Sequence, residues 1–229
     1  TYNDLIFNAN NTAATQVHFE GNGNTVRDIL INAKGNQYLN HTGSYTVRNL
    51  TLDYQSNNSA HPTLSFSGNW NVTDTYKVQG PATMQSNIYS YSSNTFNVFD
   101  VPGVNQWILR ANTTQTFGEI VPISGTCAKT VTIKGETLGS QGTFSMASGT
   151  FNGDWLILQD VNATGAGSFV ADNTVDLGNV TGWTVNTIAP RDFYWVGNNG
   201  NWNVASNWSD VSGGTPGNCG IPNRLDNAI

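Results

Sequence analysis

Charge is what this sequence has least of. Only 10% of its 229 residues are charged, against about a quarter in ordinary soluble domains. Lysine occurs four times and glutamate three times. With so few straight-chain helix formers, helices are disfavoured as the main element. The net charge is -6, and no basic patch exists to neutralise phosphates, which argues against nucleic acid as a partner. No apolar run reaches the ~18 residues of a membrane-crossing helix, and no signal peptide is visible. Two cysteines, Cys127 and Cys219, lack the clustering of a zinc site. The three histidines, His18, His41 and His61, form no spaced metal pair, and each reads as an exposed strand or turn residue.

What is abundant is Asn, Thr, Ser and Gly, with Val, Ile, Phe and Tyr between them. That mixture suits short strands joined by turns. The 38% hydrophobic content is too high and too regularly placed for disorder. The class this implies is all-β, secreted and repetitive.

Taken in order, Leu5-Ile6-Phe7 is a buried run, Gln16 to Phe19 alternates, and Gly21 to Asn24 is a turn. Thr25 to Asn32 and Tyr45 to Leu52 are longer strands, with the period-2 signature of β structure. From about residue 47 to 185 a coarse rhythm runs through Leu50, Val72, Phe96, Val131, Leu156 and Leu177. Trp107 lies 24 residues before Val131. Most intervals are 21 to 25 residues, the length of one coil of a parallel β-solenoid in which only neighbouring coils touch. The step from Phe96 to Trp107 breaks the rhythm, and a β-sandwich with a strand every 8 to 12 residues is the alternative. Residues 187–191 read as a linker. The expected organisation is therefore a β-solenoid-like domain over 1–186, the linker, and a Trp/Gly-rich β module over 192–229. That module reads as the start of a next tandem repeat, because Asp226 to Ile229 resembles Asn3 to Ile6 at a period of about 223 residues.

Candidate chemistry is thin. A paired acid for glycoside hydrolysis needs two carboxylates close in space, and on a solenoid Asp154 or Asp160 with Asp176 could supply it. The Asp/Asn/Gly turns at Glu20 to Asn24 and at Asp210 could hold calcium through oxygen ligands, although no full loop signature is present and ordinary turns explain them. No catalytic residue, resident metal or cofactor is expected. Trp195, Trp202 and Trp208 could stack on sugars or fill a small core. Asn-x-Ser/Thr acceptors such as Asn40, Asn71 and Asn207 follow from composition. Cys127 and Cys219 could bond to each other, or Cys219 could find a partner in the next repeat. An ice- or surface-binding solenoid would show a ladder of Thr on one face, and the Thr positions look too irregular in sequence for one.

Three segments carry a resemblance: Tyr194 to Trp202 with Ser206 to Ser209 and the run ending at Pro222 to Ile229; Gly125 to Gly135; and Asp160 to Gly165 with Leu177 to Trp183. They are similar to repeats of giant secreted surface proteins of Bacteroidetes, the SprB-like mobile gliding-motility adhesins exported by the type 9 system. In that family a Cys often precedes the strand equivalent to Arg27-Asp28-Ile29, where this chain has Val26. The resemblance implies a long extracellular cell-surface filament. Its partners would be neighbouring repeats, surface polysaccharide and the motility machinery. It implies no enzymatic residues. The rivals are a non-binding spacer and a β-solenoid carbohydrate-active enzyme.

Overall fold

The computed structural model describes residues 2–9, 15–19, 22–33, 37–54, 62–217, 219–222 and 226–229. Strands climb in stacked coils. The first coil holds β1 (Tyr2–Ala9) and β2 (Thr15–Phe19), the second β3 (Asn22–Ala33) and β4 (Gln37–His41), the third β5 (Ser44–Asp53) and β6 (Thr63–Phe66). Next come β7 (Trp70–Gln79) with β8 (Ser86–Ser90), then β9 (Asn94–Asp100) with β10 (Val104–Leu109). From the sixth coil a third strand appears: β11 (Thr114–Ile120), β12 (Ile123–Ser124) and β13 (Val131–Gly135), followed by β14 (Gly142–Met146), β15 (Thr150–Asp154) and β16 (Leu156–Gln159). The last coils are β17 (Val161–Gly165) with β18 (Ser168–Asp176), and β19 (Val180–Thr181) with β20 (Thr184–Thr187).

One strand of each coil joins a nine-stranded sheet running from β1 through β3, β5, β7, β9, β11, β14 and β17 to β19. The others form the opposing wall. Strands of adjacent coils pair in parallel, as with β5 on β7 and β13 on β16. The fold is an all-β parallel solenoid, and the sandwich alternative, which needs antiparallel sheets, is excluded.

Alternation explains the coils. In β7 the residues Trp70, Val72, Tyr76 and Val78 point in and are buried, while Asn71, Thr73 and Asp74 are exposed. Corners are made by residues that tolerate a left-handed backbone: Asn112, Asp160, Asn173 and Asn179 all have positive φ. Asn173, at φ 46°, bends β18 so that its first half pairs with β15 and its end with β16. Gly165 is required at its corner for a second reason, because a Cβ there would strike the Met146 carbonyl one coil below.

The inward residues make one continuous core. Its spine is a chain of ring contacts through Phe66, Phe96, Phe117 and Phe144 to Phe169, with centroid separations of 5.5, 5.7, 5.6 and 6.5 Å. Each such buried ring contributes about 1.5–3 kcal/mol of transfer free energy. Trp183 closes the last coil, 5.2 Å from Phe169 and 5.8 Å from Phe151. Trp107 is fully buried and its Nε1 donates to Ser90 Oγ at 3.0 Å.

Three expectations are corrected. Leu5-Ile6-Phe7 is not a buried run: Ile6 and Phe7 are exposed and Leu5 is half-buried. His41 is not an exposed strand residue: it is fully buried, stacked on Phe66 at 4.3 Å and edge-on to Trp70 at 4.7 Å. Its Nδ1 donates to the Ser65 carbonyl at 3.0 Å. Burial pushes its pKa down to about 3, against the smaller opposing effect of that bond. Leu177 is not a strand centre either: it follows β18 and is half exposed. The side chain of His18 and all of His61 lie outside the described residues.

Residues 192–229 form a small three-stranded sheet, with β21 (Asp192–Trp195) between β22 (Trp208–Ser209) and β23 (Asn227–Ala228). A short 3-10 turn, Ala205–Asn207, leads into β22. The module folds back on the coils it follows. Cys127, in the corner between β12 and β13, is disulfide-bonded to Cys219, with Cα atoms 4.7 Å apart. The segment read as a linker is pinned too. Ile188 is buried and its N–H donates to the Thr174 carbonyl. Arg191 lies over the rings of Trp155 and Phe193 and grips the fully buried carboxylate of Asp226 at 3.1 and 3.2 Å.

Candidate functional site

Two places gather the residues singled out from sequence. The first is the tryptophan cluster of the module. Trp208 sits between Trp195 and Trp202, edge-on to both, with centroids 5.1 and 4.5 Å away. It is 2% exposed, and its Nε1 donates to the Trp202 carbonyl at 2.9 Å. Trp208 is therefore core and out of reach of any sugar, which corrects one of the three candidates. Trp195 and Trp202 are 36% and 50% exposed, held from behind by the buried ring. Asn207 fastens the loop by donating from Nδ2 to the Asn201 carbonyl at 3.0 Å, and its backbone carbonyl accepts from Val196. The exposed amides of Asn198, Asn199 and Asn203 share that loop. Two supported aromatic faces beside free amides can stack on the apolar face of a sugar ring and bind its hydroxyls.

The second place is a cleft of about 430 Å³ on the third wall of the solenoid. Asp154 stands in register with Ser124 one coil below and Asp172 one coil above. Asn173 donates to Asp154 Oδ1 at 2.8 Å and Asn186 to Asp172 Oδ1 at 2.6 Å. The acid pair that the fold assembles is thus Asp154 with Asp172, and not either pair with Asp176. Asp160 is buried and accepts from Asn179 at 2.7 Å, while Asp176 caps the Gly178 N–H at 2.7 Å. The missing partner had a signal: Phe151 and Phe169 stack in register, and an aspartate lies three residues after each.

Of the calcium candidates, Glu20 and Gly21 lie outside the described residues, Asn22 to Asn24 belong to β3, and Asp210 is an exposed residue of the module. Among the described residues no group of three or more His, Cys, Asp or Glu is placed to hold a metal ion. Among the described residues no helix is long and apolar enough to cross a membrane. No protein-family model, curated protein or solved structure matches the chain.

Proposed function

We propose that this chain is a structural and adhesive repeat of an extracellular cell-surface filament that contacts polysaccharide, as the resemblance to gliding-motility adhesins implies. The observation that carries the reading is the coupling of a stiff stack to a supported aromatic pair. Coils stacked in register make a rod whose stability adds coil by coil, and the module bearing Trp195 and Trp202 is tied to that rod by Cys127–Cys219 and by Arg191, which lies over Trp155 and pairs with Asp226. Load applied to a sugar held at the rings therefore passes into the core and not into a loose tether. Many copies turn weak contacts into firm attachment by avidity. The low charge keeps binding insensitive to salt, since little of it rests on screened ions.

Adsorption of the purified chain to a panel of insoluble and soluble polysaccharides tests this. Binding to at least one of them is expected, and Trp202→Ala should weaken it about tenfold, the ~1.4 kcal/mol of one lost ring contact. No affinity for any of the panel leaves only the spacer role.

The Asp154–Asp172 cleft favours one further reading, a solenoid glycosidase. Asp154 and Asp172 are register neighbours on strands about 4.8 Å apart, which puts their side chains on one face at a spacing near the ~5–5.5 Å between carboxyl groups of retaining enzymes. Release of reducing ends that disappears in Asp154→Asn and Asp172→Asn would establish it, and intact polymer after prolonged incubation removes it.

A further inference from the structure

The outward side of the nine-stranded sheet carries a pattern that a fixed sequence period hides. Reading up the registers, Thr46 lies beside Asn71, then Thr95, Thr116, Ser145 and Thr164, one per coil. Two residues earlier along the strands a second column holds Thr114, Thr143, Asn162 and Thr181, and the Thr114 N–H reaches Ser93 Oγ on the coil below at 3.0 Å. This corrects the expectation that the threonines are irregular. Rungs of a parallel sheet lie about 4.8 Å apart and same-face residues about 6.7 Å apart along a strand, so the two columns form a two-dimensional grid of short polar groups.

Three features of the grid point to its partner. Neither column contains a charged or an aromatic side chain, so it offers nothing to an ion and no ring to stack on a sugar. The hydroxyls of Thr46, Thr95, Thr116 and Ser145 have no hydrogen-bond partner in the protein among the described residues, and none of the four is buried; the hydroxyls of Thr143, Thr164 and Thr181 are instead bonded to Asn162, the Phe144 carbonyl and Asn162, so the open hydroxyls lie mostly in the first column. The opposite wall of the same coils is not like this. Its corresponding column runs Asn40, Ser65, Tyr89, Ile108, Lys134 and Gln159. The column two residues earlier on that wall runs Thr63, Asn87, Gln106 and Thr132 to Ile157, so the two walls differ in the second column chiefly by longer side chains.

We propose that this sheet face binds ice. A single exposed hydroxyl gains almost nothing by exchanging one water for another. A grid held rigid by the core can instead match the repeat of a crystal plane, so that many such contacts form together and their free energies add. Threonine, which fills seven of these ten points, suits the task because it sets one hydroxyl and one methyl side by side, and β-branching restricts its χ1. The methyls exclude disordered water while the hydroxyls anchor the ordered layer. The inference does not rest on the sugar-binding reading, since the tryptophan pair belongs to the separate C-terminal module.

The test is partition of the purified chain into slowly growing ice, together with its freezing hysteresis. Wild type is compared with Thr95→Tyr and Thr116→Tyr at the centre of the grid, Ile108→Tyr on the opposite wall, and Trp202→Ala. Melting curves establish that each variant is folded, and Thr116→Val supplies a shape-preserving alternative to the tyrosines. Wild type should enter the ice and depress freezing. The two central tyrosine variants should lose at least about tenfold in both readouts, and Ile108→Tyr and Trp202→Ala should keep them. Exclusion of wild type from ice overturns the proposal, and so does equal behaviour of the Thr and Ile108 variants. If the central tyrosines abolish adsorption to a crystalline polysaccharide and leave ice partition unchanged, the face serves a polymer and the proposal also falls.

Discussion

The coils and the module that follows them are held by different means. In the solenoid, stability is distributed: successive coils add two or three strands and their apolar side chains to one continuous core. In residues 192–229 it is concentrated. Two buried rings, Phe193 and Trp208, one ion pair and one disulfide hold three short strands of four, two and two residues. A sheet that small is marginal alone. The comparison teaches where each kind of residue belongs: a load-bearing stack uses apolar repetition, and a small exposed contact site uses a few strong local links.

The largest expected effect attacks the distributed part. Trp107→Ala removes a fully buried ring from the middle of the stack and should cost about 4 kcal/mol in a denaturant titration, loosening neighbouring coils on both sides. A loss under about 1 kcal/mol would mean that the coils repack independently of their core rings. Next comes Cys219→Ser. The bond closes a separation of 92 residues, and its loss should cost about 2–4 kcal/mol. The comparison makes that loss local. The Trp195 and Ile229 amides, which donate within the module, should exchange with solvent much faster, while those around Ile133 stay protected. Uniform deprotection would erase the distinction between the two regions.

The smallest effect near neutral pH is a slope peculiar to the solenoid. His41 is held neutral by burial at a folded pKa of about 3, against about 6.5 unfolded. Below pH 6.5 the unfolded chain binds a proton that the folded chain refuses. Stability should therefore fall by up to ~1.4 kcal/mol per pH unit from 6.5 toward 3. Urea midpoints at several pH values measure the slope, and His41→Leu should flatten it. The Asp4 and Asp28 carboxyls are held low chiefly by hydrogen bonds from Arg27 and Arg48. Their contribution is present at neutral pH and lost only at more acid values, and it is small because the pairs are exposed.

Part of this was legible in the chain. The 25-residue step from Val131 to Leu156 and the 24-residue step from Val72 to Phe96 are true register neighbours. The step from Phe96 to Trp107 that broke the rhythm is half a coil, crossing from β9 on one wall to β10 on the other. His41 was readable in principle, since period 2 from the buried Leu39 puts it inside. The polar grid was not. Its steps, from Thr46 to Asn71, Thr95, Thr116, Ser145 and Thr164, vary because corners differ in length, and only strand pairing brings these residues into line. The Asp154–Asp172 pair hid for the same reason: β18 bends at Asn173 to serve two walls, which shortens that coil.

The central claim is mechanical, and pulling a single chain by its two ends tests it most directly. Under oxidising conditions unfolding should proceed in several small force steps as coils peel away. About 300 Å of contour length, the 92-residue separation between the cysteines at ~3.3–3.6 Å per residue, should stay hidden until reductant is added. Extension to full length without resistance, or no change in contour length on reduction, would contradict the account of a coil-by-coil rod with its contact module locked to its side.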